Sequence, residues 1–313
     1  MKRLIACLLF VVFLCGCGGS VTPPNNKISV VATVFPVYDF VSAVGGENVE
    51  VKLLIKPGSE VHSFEPAPSD VVAMADCDLF AFIGGESENW ARSVLADSKA
   101  QNIALIGEVG LEERHVHDHS HGHAYSYDEH IWTSPQMAAD MVNAICERLC
   151  ELDESHAAEY RANAAGYIEK ITSAAKEIEA VTENAEEKFI LVADRFPFEY
   201  FTDYFGIEYM AALDGCAAPS DISLKTMAKL SSVVEEKQIK AVFCTELSNR
   251  IIANALSEQM GVRVIELHSA HNVTLEDFKS GVTYVDIMKR NAAALSTALN
   301  PYSKIQFEFE YFG

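Results

Sequence analysis

The sequence predicts an α/β protein of two lobes, each a parallel sheet flanked by helices, with one long helix joining the lobes, and three observations carry that reading. Short apolar runs alternate with helical patterns in the first half, as in KISVVATVFPVYDFVSAVGG. The alternation restarts in the second half with KFILVAD, IKAVFCTE and VRVIELH. Between the halves lies ESHAAEYRANAAGYIEKITSAAKEIEAVTENAEE, with no proline and a single glycine, Gly166, and with apolar or small positions at intervals of three and four. Alternating strand and helix argues for parallel sheets covered on both faces. An amphipathic helix of roughly 30 residues spans about 45 Å at 1.5 Å per residue, which gives it the reach to join two lobes.

Taken in order, Lys2 and Arg3 precede a short apolar run from Leu4 to Leu14 and then Leu14-Cys15-Gly16-Cys17. The run falls short of the roughly 20 apolar residues that span a bilayer and suits the core of a secretory signal. Small residues before a cysteine resemble the bacterial lipoprotein cleavage box, so residues 1–16 are expected to be a signal peptide, with a lipid on Cys17. Residues 17–26, with their GGSVTPPNN, read as a flexible tether. An N-terminal lobe is expected over residues 27–153, with a strand and helix in KISVVATVFPVYDFVSAVGG, a second strand in VEVKLLIKPG, and a helix running into a third strand in SDVVAMADCDLFAFIGG. A helix is expected from Ser134 to about Cys150. The linking helix takes residues 154–186 and a C-terminal lobe takes residues 187–313, its three strands delivering Asp194 or Arg195, Glu246 and His268 at their carboxyl ends. Those ends line the binding crevice in open parallel sheets.

The 313 residues are 49% hydrophobic, sufficient for two modest cores and unlike a disordered chain. With 45 acidic residues against 24 basic ones the net charge is -21, which repels a nucleic-acid backbone and favours a cationic or small polar partner. Beyond the leader the cysteines are Cys77, Cys146, Cys150, Cys216 and Cys244, an odd set for an oxidising compartment. Cys146 and Cys150 share a helix face without favouring a disulfide, a Cys216–Cys244 bridge is conceivable, and the absence of CxxC argues against a thiolate metal site.

Histidine is the residue with most to say. HVHDHSHGH sets His115, His117, His119, His121 and His123 at every second position of a loop without apolar periodicity. Such a segment can bring two or three imidazoles to one metal, but fixing it costs roughly 1 to 2 kcal/mol of backbone entropy per residue, so weak, exchangeable binding is expected there and tight binding elsewhere. His62 follows a strand in KPGSEVHSFEPAPSD, where Pro57, Gly58, Pro66 and Pro68 hold turn and extended backbone, and His130 precedes a helix in YDEHIWTSP. With His268 and His271 they occupy loops and strand ends, unlike core histidines. His156, beside Glu154 and Glu159, reads as a solvated surface residue.

PGSEVHSFEPAPSD and DEHIWTSP resemble the two N-terminal metal-ligand signatures of the zinc and manganese solute-binding lipoproteins of bacterial ABC transporters. The histidine-rich insertion resembles that of the zinc branch, and GVTYVDIMKRNAAALSTALN resembles the family's C-terminal end. The resemblance covers essentially the whole mature chain. It implies a two-lobed fold bridged by one long helix, metal bound in the inter-lobe cleft, and small lobe movements. His62 and His130 are then ligands. Arg195 stands where the family usually has a third histidine, and a guanidinium, always protonated, cannot ligate; it is expected to turn away and pair with Asp194, Glu65 or Glu246. His268 stands where the family usually has an aspartate.

The expected site is therefore His62, His130 and His268, with Glu246, His271 or water completing the shell; the alternative roles are, for His271, a hydrogen bond to a ligand or a cap on the following helix, and for Glu246, the carboxylate that orients a ligand. Three imidazoles and one oxygen suit tetrahedral Zn²⁺; Mn²⁺ favours more oxygen ligands, and ligand type alone does not fix the metal. The function implied is an extracytoplasmic zinc receptor, monomeric and lipid-anchored to a bacterial membrane, that delivers Zn²⁺ to an ABC permease and its ATPase. Alternatives are the same role for manganese or another divalent ion, and a metal-buffering lipoprotein or adhesin. A zinc hydrolase, with Glu246 as base, is disfavoured by the lack of HExxH and of a separate substrate cleft.

Overall fold

The computed structural model describes residues 27–95, 98–111, 127–213 and 223–300. The expected signal peptide, Cys17, the tether, the five ribbon histidines and Cys216 lie outside them. The N-terminal lobe is a four-stranded parallel sheet of β1 (Ile28–Ala32), β2 (Val49–Leu53), β3 (Leu79–Phe82) and β4 (Gln101–Ala104) in the order β2-β1-β3-β4. The C-terminal lobe repeats the pattern with β5 (Phe189–Val192), β6 (Glu208–Ala211), β7 (Ala241–Cys244) and β8 (Arg263–Glu266) in the order β6-β5-β7-β8. Each sheet therefore reverses strand order between its first and third strands, the place where a crevice opens above the carboxyl ends.

Local chemistry starts and stops the helices. Pro36 opens α1 (Phe35–Gly45), which ends at Gly46 with φ +54, a conformation glycine adopts without steric cost. Ser134 caps α4 (Pro135–Leu152), accepting from the Met137 amide, with Pro135 in the first turn. Short helices α2 (Pro68–Asp76) and α3 (Asn89–Leu95) complete the first lobe, and α6 (Glu199–Phe205), α7 (Leu224–Glu236), α8 (Ile251–Met260) and α9 (Leu275–Ser280) flank the second sheet or follow it. Thr283 and Asp286 bond each other's backbone amides to begin α10 (Tyr284–Leu299).

The linking helix is α5 (Ala157–Glu183), entered through a 3₁₀ turn at Glu154–His156. Tyr160, Ala164, Tyr167, Ile171, Ala174, Ile178 and Val181 are buried along it, the spacing of three and four that one helix face requires. That face packs on α4, α1 and α10. Asp39 of α1 sits where these helices meet, accepting from the Tyr167 hydroxyl and, at 3.1 Å, from the Tyr284 amide. Burial there pushes its carboxyl up to about 6 despite those bonds. One continuous apolar core runs through both lobes, from Val30 and Ala32 through Ile171 and Ile178 to Ile190, Phe243 and Leu295, while smaller clusters cover the outer face of each sheet.

Of the conceived Cys216–Cys244 bridge only Cys244 falls among the described residues. Cys77, Cys146, Cys150 and Cys244 are buried free thiols, and Cys244 points its sulfur at the Ile265 carbonyl 3.7 Å away. Burial pushes the Cys244 thiol up to about 11, so it is an inert packing group.

Candidate metal centre

His62 arrives on the loop after β2, where Gly58 takes φ +79. His130 arrives on a short 3₁₀ entry to α4, and His271 on the loop after β8. The imidazole pairs His62–His271, His130–His271 and His62–His130 have ring centroids 4.9, 5.0 and 6.0 Å apart, and one ring nitrogen from each lies within 4.8 Å of the others. Zinc bonded at 2.0 to 2.1 Å holds tetrahedral nitrogens about 3.3 Å apart, so modest inward ring rotation completes three bonds. Among the described residues this is the group of side chains placed to hold a metal ion.

Each half of the site is oriented differently. On the N-terminal side Asp128 Oδ1 takes both the backbone amide of His130, at 2.7 Å, and its Nδ1, at 2.8 Å. That bond turns Nε2 of His130 toward the cleft, the carboxylate–histidine arrangement common around metals. Burial works to raise the Asp128 carboxyl, but the hydrogen bond and charge of His130 outweigh it and hold the group below its ordinary value. Glu129 lies 3.6 Å from His62 Nδ1 and takes the Ser87 amide. A Cβ on Gly85 would stand 2.3 Å from the Glu129 carboxylate, so the close approach requires glycine there.

On the C-terminal side the structure groups His271, expected as a possible fourth ligand, with His62 and His130, and leaves His268 outside that group. His268 is buried, with its backbone held at both ends by Asn291, and its Nδ1 accepts from the Ala270 amide at 2.9 Å. That bond folds the imidazole back on its own loop. Ala270 then takes φ +61, reversing the chain and putting His271 into the cleft. His268 and His271 do not share a helical turn, because the loop between β8 and α9 has no helix there. Burial, with His130, His62 and Arg195 nearby, drives the His271 pKa well below 6.5, so the ring is neutral and its lone pair is available.

Of the two roles expected for Glu246 the structure shows the orienting one, whereas the partners expected for Arg195 are not found. Glu246 accepts from Ser269 N (2.8 Å), Ser269 Oγ (2.5 Å) and His271 N (3.2 Å), so it anchors the loop that carries His271 and lies outside the ligand group. Asp194 binds the Arg195 amide and both the amide and hydroxyl of Thr245, with no bond to the guanidinium. Glu65 is exposed and does not meet Arg195. Instead the guanidinium crosses the cleft to Glu60, with Nη1 at 3.3 Å from both carboxylate oxygens. Composition gave no sign of that contact, although Glu60 stands two residues from His62.

Several bonds tie the lobes beneath the histidines. Trp132 Nε1 donates to the Ser269 carbonyl at 2.7 Å, Asn272 Nδ2 donates to the carbonyls of Lys56 and Ser59, and the Gly58 amide donates to Val273. Tyr200 and Tyr284 hydroxyls donate to the carbonyls of Asp128 and Trp132. Above this floor lies a cavity of about 290 Å³, lined by the three histidines, Glu60, Arg195 and Glu246 among others.

Fold and site together define a metal-binding protein of the two-lobed solute-binding class. The chain belongs to the ZnuA family, described as zinc-uptake complex component A, periplasmic, whose family model matches residues 30–298. It is 30% identical over 306 residues to the zinc-binding lipoprotein AdcA of Streptococcus pneumoniae, covering 94% of this chain and 60% of that relative's length. The high-affinity zinc uptake system protein ZnuA of Bacillus subtilis is 29% identical over 308 residues, with 94% of this chain and 96% of that one covered. The Zn(II)-bound ZnuA-like domain of the pneumococcal AdcA superposes with a TM-score of 0.73 at 27% identity, over 88% of this chain and 99% of that domain.

Proposed function

We propose that this protein is an extracytoplasmic receptor that captures Zn²⁺ between its lobes and passes it to an ABC permease with its ATPase. The observation that carries the reading is the convergence of His62, His130 and His271, with ring nitrogens within 4.8 Å of one another. Zinc is cargo here, and the relatives named above are named for binding and uptake of zinc rather than for a reaction. Three imidazoles favour zinc over manganese, which prefers oxygen ligands. Glu246 and Asp128 act through the histidines they position, and the ribbon from His115 to His123 serves as an accessory that collects metal weakly.

No helix among the described residues is long and apolar enough to cross a membrane. The proposed attachment is the lipid on Cys17, with the protein acting as a monomer. Competitive titration with Zn²⁺ and Mn²⁺ at neutral pH, with and without residues 115–123, tests the reading. One tight zinc-preferring site that survives the deletion supports it. Loss of all tight binding on deletion would place the site in the ribbon.

A further inference from the structure

Three imidazoles would leave zinc one tetrahedral position to fill, and a cation, Arg195, lines the same cavity. Arg195 lines this cavity together with the three histidines, Glu60 and Glu246. Its bond to Glu60 engages Nη1 alone, so Nη2 and Nε have no hydrogen-bond partner among the described residues. Glu60 is a loose partner, its side chain half exposed and both contacts at 3.3 Å. The nearby carboxylates are committed elsewhere: both oxygens of Glu246 hold the His271 loop, and both oxygens of Asp194 hold Arg195 N and Thr245. The cavity, at about 290 Å³, is several times the roughly 30 Å³ that one water occupies.

We infer that the site takes zinc together with a small planar oxyanion, a bicarbonate or carboxylate group, with one oxygen on the metal and the rest of the group on the free edge of Arg195. A guanidinium presents parallel N–H donors at the spacing of a carboxylate and binds such groups bidentately. A water molecule would complete the tetrahedron but would leave that fork unmatched. The anion also screens the guanidinium from the incoming Zn²⁺, so metal and anion strengthen each other's binding. Arg195, which cannot ligate, thereby becomes a specificity-determining residue for what accompanies the metal. The inference rests on zinc binding in the cleft, as proposed above.

The test is zinc affinity by competition with a chromophoric chelator, at neutral pH and constant ionic strength, in perchlorate alone and with bicarbonate or acetate added. Bicarbonate and acetate separate a free carbonate from a carboxylate that arrives as the metal's own ligand. In the unaltered protein at least one of them should tighten zinc by roughly tenfold or more, the scale of a charge-assisted pair. With Co²⁺ as probe the visible ligand-field bands should change on adding that anion. Arg195→Gln should remove most of the gain, and Arg195→Lys should restore only part, because a point charge lacks the fork. Equal affinity in perchlorate and in both anions, or a gain that survives Arg195→Gln, overturns the inference while leaving the receptor reading in place. Absence of tight zinc binding in every buffer overturns both.

Discussion

The two lobes share a sheet order, yet they hand histidines to the cleft by different means. The N-terminal half works locally: Asp128 stands two residues from His130 and bonds both its amide and its ring. The C-terminal half works at a distance: Glu246, carried after β7, holds the loop after β8, and Asn291 of α10 fixes the backbone of His268. A histidine placed by short-range bonds is visible in a motif. One placed by tertiary bonds is decided only when the loop is folded.

The largest expected effect tests which histidines belong to the site. His130→Ala and His271→Ala should each weaken zinc by on the order of a hundredfold or more, beyond the 10- to 100-fold that loss of an orienting partner costs. His268→Ala should weaken it far less, acting through the Ala270 turn. Chelator competition on the three variants decides the matter. If His268→Ala matched the other two, the loop would rearrange on metal binding and the C-terminal half would be wrongly assigned.

Next in size are the positioning carboxylates. Asp128→Asn and Glu246→Gln should each cost roughly 10- to 100-fold in zinc affinity. They should differ in kind: Asp128→Asn alters one ring, whereas Glu246→Gln frees the Ser269–His271 segment. Hydrogen exchange at the amides of Ser269 and His271 should therefore rise in Glu246→Gln and stay unchanged in Asp128→Asn.

The same contrast explains what was legible in the sequence. Strands β1, β3, β5 and β7 are buried apolar runs and are readable as such, and the register of α5 is written in its Tyr160-to-Val181 spacing. β4 and β6 are four-residue edge strands whose leading residues, Gln101 with Asn102 and Glu208 with Tyr209, are exposed, so they lack the pattern that marks a strand. His62 and His130 stand out as candidates from their motifs. LHSAHN offers two more, His268 and His271, and which of them faces the cleft depends on Ala270 at φ +61 and on Asn291, 20 residues or more along the chain. The partner of Arg195 is equally a matter of lobe placement, since Glu60 is 135 residues away.

A smaller effect concerns pH in the metal-free protein. The folded pKa of His271 is held below its ordinary 6.5, chiefly by burial. As pH falls through about 6.5 the unfolded chain gains a proton that the folded chain refuses, so stability present above that pH is lost on acidification toward the folded pKa. Thermal unfolding without metal should show a lower midpoint at pH 5 than at pH 7, and His271→Gln should flatten that slope. A slope unchanged by the substitution would mean that other groups carry the acid sensitivity, and that the C-terminal half is less buried than its geometry indicates.

The smallest effect is at the mouth of the cleft. Glu60 and Arg195 form an ion pair between the lobes, but their side chains are 50% and 25% exposed, and exposed pairs contribute about 0.2 to 1 kcal/mol. Glu60→Gln should therefore change stability by no more than about 1 kcal/mol and speed zinc release by no more than about fivefold, the kinetic equivalent of that energy. The lobes are already joined below the histidines by Trp132 to Ser269 and by Asn272 to Lys56 and Ser59, so the pair adds little to closure. Stopped-flow release into excess chelator measures the difference. A much larger acceleration would show that the pair shuts the mouth over bound metal, and that the C-terminal half governs access to the site as well as one of its ligands.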